Sequence, residues 1–451
     1  MTSNLHVAPM ELRQRLQEEL NLRGWKQKEL AEASCIDSSS ISYIFNNKQS
    51  LMLPQLHAIN QAFGLPKHSF YEEFIGECCN EMGRLRPDKT SDFILHCIEV
   101  EKYDLVKQLV QLLYEETNRS KMIDTTFKIA ERIFQSTKRN YSLPFYDIIV
   151  RNGYSRSEKI ALSYYRRFLI LRDLDTSGAG NEALCQLIEY LPILPDKLRL
   201  DAYYRILTFY NVVENWSKLL LYAKELRNIA FEEGQDDYVA EGWLYESVAL
   251  MGMKNFEGAL KITQQYAVYG DHYVRLARCN ELYIYIEMKQ TEPIEELMSL
   301  LKGDQVLLVL PIALESYVSN DAFHDAAQYL EKYKSNVDDL LSRKDPFHLK
   351  HKLRLTQALA QYYLKTAHHD LGFEYNALSL ELALALKNMQ YVGTAVITFQ
   401  EYELHATPEH KNRFTNILLN EVDSDEKSIN HDVHGSFLVR FYRLVFGNES
   451  G

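Results

Sequence analysis

Residues 27–48 read Gln-Lys-Glu-Leu-Ala-Glu-Ala-Ser-Cys-Ile-Asp-Ser-Ser-Ser-Ile-Ser-Tyr-Ile-Phe-Asn-Asn-Lys. Their apolar positions are spaced for two short helices that pack on one another across a tight turn. Leu30 and Ala31 face inward from the first helix, Ile36 plugs the turn, and Ile41, Ile44 and Phe45 recur at i, i+3 and i+4 in the second. Asp37 stands where an N-cap is needed, its carboxylate placed to accept from the free N–H groups of the first turn. Cys35 falls where the turn wants a left-handed backbone, a position glycine fills at least cost. Asn47, at the exit, tolerates the same region.

The pattern is a helix-turn-helix. Its outer face, the N-terminal half of the second helix, is the part that reads base edges in a major groove. The candidate DNA-contacting residues are Gln27, Lys28, Ser38, Ser39, Ser40, Ser42, Tyr43, Asn46, Asn47 and Lys48. Gln27 opens the first helix, where free N–H groups can hold a phosphate, and Asn46, Asn47 and Lys48 meet the backbone on the far side. The flanks agree with a small helical head. Leu12, Leu16 and Leu20 form a stripe on a preceding helix, and Pro54 opens a following one with Leu56, Ile59 and Phe63 inward before Gly64-Leu65-Pro66 stops it.

Over about residues 10 to 66 this stretch resembles the helix-turn-helix of the Cro and CI phage repressors: Gln27 opens it, Ala31 holds the small position, Ile41 and Ile44 the core positions, and Asn46-Asn47-Lys48 stands close to that family's Asn-Gly-Lys exit. Cys35 and Asn47 depart from it where Gly is usual. The resemblance implies a compact DNA-binding head of about five helices, placed at residues 1–75.

At 451 residues the chain exceeds one core, so a larger part must follow the head. The net charge is −12. Residues 1–66 hold six Lys and Arg against six Asp and Glu, so the whole acidic excess lies beyond them. A neutral head with serines at its reading positions attracts phosphate weakly, which implies that two heads act together in a homodimer on a palindromic operator of double-stranded DNA. The six cysteines, at 35, 78, 79, 97, 185 and 279, show no ligand or disulfide framework and are expected as buried thiols; no metal and no cofactor is expected. There is no apolar signal core and no apolar run of membrane-spanning length, so a cytoplasmic protein without a membrane partner is expected.

Residues 76–92 contain a polar, breaker-containing stretch that reads as a linker, and 93–451 read almost throughout as amphipathic helices of ten to twenty residues. With 18 Gly and 11 Pro falling mostly between such segments, the class is all-α. A half-motif recurs: a polar turn, an aromatic or apolar residue, a small or apolar residue three on, and another apolar site seven further. It is seen at Tyr103-Val106-Leu113, Trp216-Leu219-Leu226, Phe256-Ala259-Tyr266, Ile294-Leu297 and Phe323-Ala326-Tyr333. A spacing near forty belongs to helical-hairpin solenoids. The copies at 254–260 and 320–327 resemble the second-helix start of a tetratricopeptide repeat. Trp243 fits the first helix of such a repeat, but Glu246 and Ser247 stand where Leu and Gly are usual. The expected architecture is a right-handed α-solenoid of degenerate repeats.

First helices of stacked hairpins line a groove that suits an extended peptide. The chain has 30 Tyr, and Asn within a helix asks for a reason. The peptide-binding candidates are therefore Tyr204, Asn211, Arg275, Arg278, Asn280, Tyr317 and Asn376, the asparagines for peptide backbone and Arg275 or Arg278 for a carboxylate. No phosphate loop or hydrolase motif stands out, and His368-His369-Asp370 reads as a turn, so catalysis is not expected.

A Cro/CI-type head followed by a long degenerate tetratricopeptide array resembles the RRNPP family of peptide receptors of Gram-positive bacteria and their phages. Residues 70–140 are similar to the arbitrium receptors, with the neutral-protease regulators an equal subfamily. The resemblance implies a quorum-sensing transcription regulator, controlled by a short signalling peptide, and no catalytic residues. The competing reading is an array that binds another regulatory protein, for example a phosphorelay component, with the head vestigial. The apolar helix expected at 437–446 would serve as a cap or a dimer contact.

Overall fold

A computed structural model of the chain describes residues 9–153, 156–176 and 178–420; the helix expected at 437–446 lies outside them. The described residues are helical, with no strand and one isolated antiparallel bridge between Cys79 and Leu85. The chain divides between Ile170 and Leu171 into two compact units.

The first unit begins with α1 (Pro9–Arg23), α2 (Gln27–Ser34), α3 (Ser38–Phe45), α4 (Leu53–Ala62) and the single turn α5 (Tyr71–Phe74). The stripe Leu12, Leu16, Leu20 is wholly buried, as are Leu30, Ile41, Ile44, Leu56 and Ile59, which together form the core of the head. It continues through α6 (Pro87–Glu99), α7 (Tyr103–Glu115), α8 (Arg119–Phe134) and α9 (Leu143–Asn152) into α10 (Glu158–Leu174), within which the division falls. The polar stretch read as a linker to residue 92 ends sooner, because Pro87 stands in the first turn of α6 and its fixed φ starts the helix there. Glu77 and Lys89, both inside that stretch, are buried.

The second unit holds α11 (Ala179–Ile188), α12 (Asp196–Val212), α13 (Trp216–Glu232), α14 (Asp236–Gly252), α15 (Phe256–Tyr266), α16 (Asp271–Glu287), α17 (Pro293–Leu300) and α18 (Gln305–Ser319). After these come α19 (Phe323–Lys332), α20 (Lys334–Ser342), α21 (Pro346–Lys365), α22 (His369–Ala385), α23 (Met389–Glu401) and α24 (Pro408–Asn420). Consecutive helices pack pairwise as hairpins. One turn shape recurs: a non-glycine residue at positive φ stands two positions before the next helix. It is Glu101 before Tyr103, Glu214 before Trp216, Lys254 before Phe256, Asp321 before Phe323 and Lys387 before Met389. Asn215, Asn255 and Asn388, each between that residue and the helix, cap the first turn by accepting from the N–H three residues on. The half-motif thus marks a helix start, and its second and third positions, such as Leu219, Leu226, Ala259 and Tyr266, are fully buried.

The departures from a regular repeat are packed in their own way. Arg227 lies 3.6 Å over the ring of Trp243 and approaches the buried Glu246, while the Ser247 hydroxyl donates to the Ala259 carbonyl at 3.0 Å. Gly252 lets the end of α14 lie directly on the Trp216 ring, which a Cβ there would overlap. Cysteine burial differs from expectation: Cys78 and Cys97 are buried, Cys79 and Cys279 half-buried, and Cys35 and Cys185 exposed, because the last two sit on a turn and on the outer side of α11.

Candidate DNA-reading face and interior chamber

The head builds its outer face from the turn. Cys35 takes the left-handed conformation at φ 54°, which redirects the chain, and Asp37 accepts from the Ser40 N–H at 2.8 Å and the Ser39 hydroxyl at 2.5 Å. These bonds hold the Asp37 carboxyl down to about 2, so the cap keeps its charge at any working pH. Lys28, Ser38, Ser39, Tyr43, Asn46, Asn47 and Lys48 are exposed; Gln27, Ser40 and Ser42 are half-buried. Tyr43 is the one large apolar side chain of α3 left open, half its surface facing solvent. Asn46 folds back on Ser42, its amide donating to the Ser42 carbonyl at 2.8 Å, and Asn47 takes φ 55° before Lys48.

Below α3 lies a buried ionic group that sequence reasoning missed. Arg13 of α1 donates Nε to the Ile44 carbonyl at 2.7 Å, Nη2 to the Gln49 carbonyl at 3.2 Å and Nη1 to Glu77 at 2.5 Å. Glu77 also accepts from the Ser50 hydroxyl at 2.6 Å, the Leu51 N–H at 3.0 Å and Lys89 at 3.4 Å. The end of the recognition helix and the loop after it are therefore fixed by residues from 13 to 89. No local pattern could have shown this, since each partner is an ordinary charged residue.

A second contact ties α4 to α6. His57 meets the Tyr71 hydroxyl at 2.8 Å and lies 5.1 Å from the His96 ring. Burial, reinforced by His96 and Lys67 and opposed by Glu99, pulls His57 down to about 4. The unfolded chain then takes up this proton first, so stability falls as pH drops from the ordinary value of 6.5 toward 4. Half-buried as it is, His57 contributes about 1 kcal/mol of this loss after solvent screening. Denaturant unfolding of wild type and His57→Gln across that range checks it: the variant is expected to show the flatter dependence.

In the second unit a cavity of about 640 Å³ is lined by residues of many helices, among them Asn211 from α12, Met251 from α14, Asn280, Tyr283 and Glu287 from α16, Val309 and Glu315 from α18, and Phe347, Lys350, His351 and Arg354 from α21. Lys350 donates to the Asn211 carbonyl at 3.0 Å, joining α21 to α12, and Asn388 reaches Glu214 at 3.5 Å. A neighbouring cavity of about 600 Å³ shares Glu214, Trp216, Lys350, Gln390 and Tyr391 with it. On the wall, Arg354 bridges Glu287 (2.6 and 3.0 Å) and Glu315 (2.8 and 2.7 Å), and Lys289 adds a bond to Glu315 at 3.2 Å. Burial alone would raise Glu315, but Arg354 and Lys289 outweigh it and hold the carboxyl below its usual range. His351 is held neutral by burial and by the charges of Lys350 and Arg354.

Of the residues read as peptide contacts, Asn211 and Asn280 stand on this wall. Asn280 donates to the Tyr266 hydroxyl at 2.8 Å. The others are elsewhere. Asn376 is fully buried and donates to the Ala395 carbonyl at 3.0 Å, so its place inside a helix is explained by packing between α22 and α23. Tyr317 is buried against Tyr329. Tyr204 packs against Tyr238 and Tyr245. Arg278 is held by Glu281 and Glu296 on an exposed face, and Arg275 is exposed. His368-His369-Asp370 opens α22, with the His369 ring stacked 4.1 Å from His405.

Residues 16–69 match the Helix-turn-helix family HTH_3. The match covers the head and supports a DNA-binding regulator. No curated protein matches the chain. Among the described residues no helix is long and apolar enough to cross a membrane.

Proposed function

We propose that the chain is a transcription regulator of the RRNPP kind, in which a homodimer holds a palindromic operator through α3 of each head and a short signalling peptide occupies the chamber of the second unit. The observation that carries the reading is one chain joining a helix-turn-helix at 16–69 to a helical array that lines a cleft of about 640 Å³. That volume lies in the range of about 300–1,000 Å³ usual for ligand sites. Its lining comes from many helices between α12 and α23, so a ligand touching several of them favours one arrangement of the stack. The operator in turn favours one spacing of two heads, and linkage between these preferences is the regulation.

Selection of genomic fragments by the full chain tests the DNA half of the proposal. A two-fold symmetric site should be enriched. Ser39→Ala combined with Tyr43→Ala is expected to weaken that site about 100-fold, since each base contact contributes about 1–3 kcal/mol. Peptide retention by the same variant should be unchanged. Absence of any preferred fragment, with or without peptide, would count against the reading.

A further inference from the structure

Several polar groups of the chamber wall are answered by neighbouring side chains. Arg354 and Lys289 answer Glu287 and Glu315, Asn280 is bonded to Tyr266, and Glu214 accepts from Asn388. Lys350 is not paired in this way. Its ammonium donates to the Asn211 carbonyl and lies 3.5 Å from that residue's side-chain oxygen, both neutral partners, and no carboxylate of the described residues lies within ion-pair distance. It stands on both cavities, with the Trp216 ring 6.0 Å away and Arg354 one helical turn along α21. A half-buried ammonium beside a fixed guanidinium, given only neutral acceptors, is an incomplete pair.

We propose that Lys350 is the anion-receiving group of the chamber, and that its ligand is a short peptide presenting a carboxylate, from its C-terminus or from an Asp or Glu side chain, to Nζ between the two cavities. This deepens the peptide reading above and rests on it. A carboxylate there completes the pair by a charge-assisted hydrogen bond and leaves the Asn211 side chain free to meet peptide backbone. Burial and Arg354 draw the Lys350 proton away and Glu214 restores it only in part, so an arriving anion would also settle the ammonium form. Trp216, Tyr283 and Phe347 supply apolar contact on either side.

The test is affinity selection by the full chain from three synthetic hexapeptide pools. One is C-terminally amidated and lacks Asp and Glu, one has free C-termini and lacks them, and one is amidated and contains them. The proposal expects retention from the second or the third pool, identifying the source of the carboxylate, and at least about tenfold less from the first. Lys350→Met should abolish that preference and Lys350→Arg should keep it, with thermal unfolding confirming that both variants are folded. Equal retention from all three pools overturns the assignment of Lys350 while the peptide reading stands. Retention from none overturns both.

Discussion

Replacing Arg354 with methionine lowers the stability of the second unit by about 3–5 kcal/mol. The guanidinium is about four-fifths buried and satisfies two carboxylates at once, Glu287 from α16 and Glu315 from α18, with four bonds of 2.6–3.0 Å. Removing it leaves both acids facing one another with Lys289 alone to answer Glu315. One of them must then take up a proton near neutral pH, or draw water into the wall. Lysine is no substitute, because a single ammonium cannot present two forks to two carboxylates. The cost lies in the unpaired charges rather than in the lost contact, so Arg354→Met with Glu287→Gln and Glu315→Gln should recover most of it. Chemical denaturation of the three proteins measures both effects, and a triple variant no better than the single one would refute the argument.

Glu77→Ala should unfold the head at a comparable cost, about 3–5 kcal/mol, by leaving Arg13 and Lys89 buried without a counter-charge. Glu77 is 2% exposed and accepts four hydrogen bonds, so Ser50 and the Leu51 N–H lose their acceptor as well. Burial pushes its carboxyl up, but Ser50 and Arg13 prevail and hold it below the ordinary 4.5. The stabilisation is therefore complete above pH 4.5 and is lost as pH falls through the lower, folded value. A fragment ending at residue 69, the limit of the family match, should show the same weakness, whereas one reaching Glu99 keeps Glu77 and Lys89. Amide exchange at Ile44 and Gln49, whose carbonyls hold Arg13, reports the change where it matters, at the end of the recognition helix.

The head was legible because its signals are local. The inward pattern of Leu30, Ile41 and Ile44, the cap at Asp37 and the left-handed need at residue 35 all lie within one short segment, and Cys35 adopts that conformation because the turn demands it whatever the side chain. The hairpins were legible for the same reason: an aromatic just after each turn starts a helix at 103, 216, 256 and 323. The chamber was not. Arg354 reaches partners 39 and 67 residues away, and Lys350 meets Asn211 across 139, distances at which a sequence carries no pairing signal. Asparagine inside a helix was an ambiguous clue. It pointed to the wall at Asn211 and Asn280, but at Asn376 the same residue type serves a carbonyl of the next helix, and periodicity does not separate those uses.

Regulation of this kind requires linkage between the head and the chamber. The direct measurement is the affinity of the full chain for a peptide retained in the selection, taken with the enriched operator bound and again without DNA. Reciprocal coupling requires the two affinities to differ, by about 5–150-fold for coupling of usual size. Equal affinities, in a protein that binds both DNA and peptide, would contradict regulation of the one by the other.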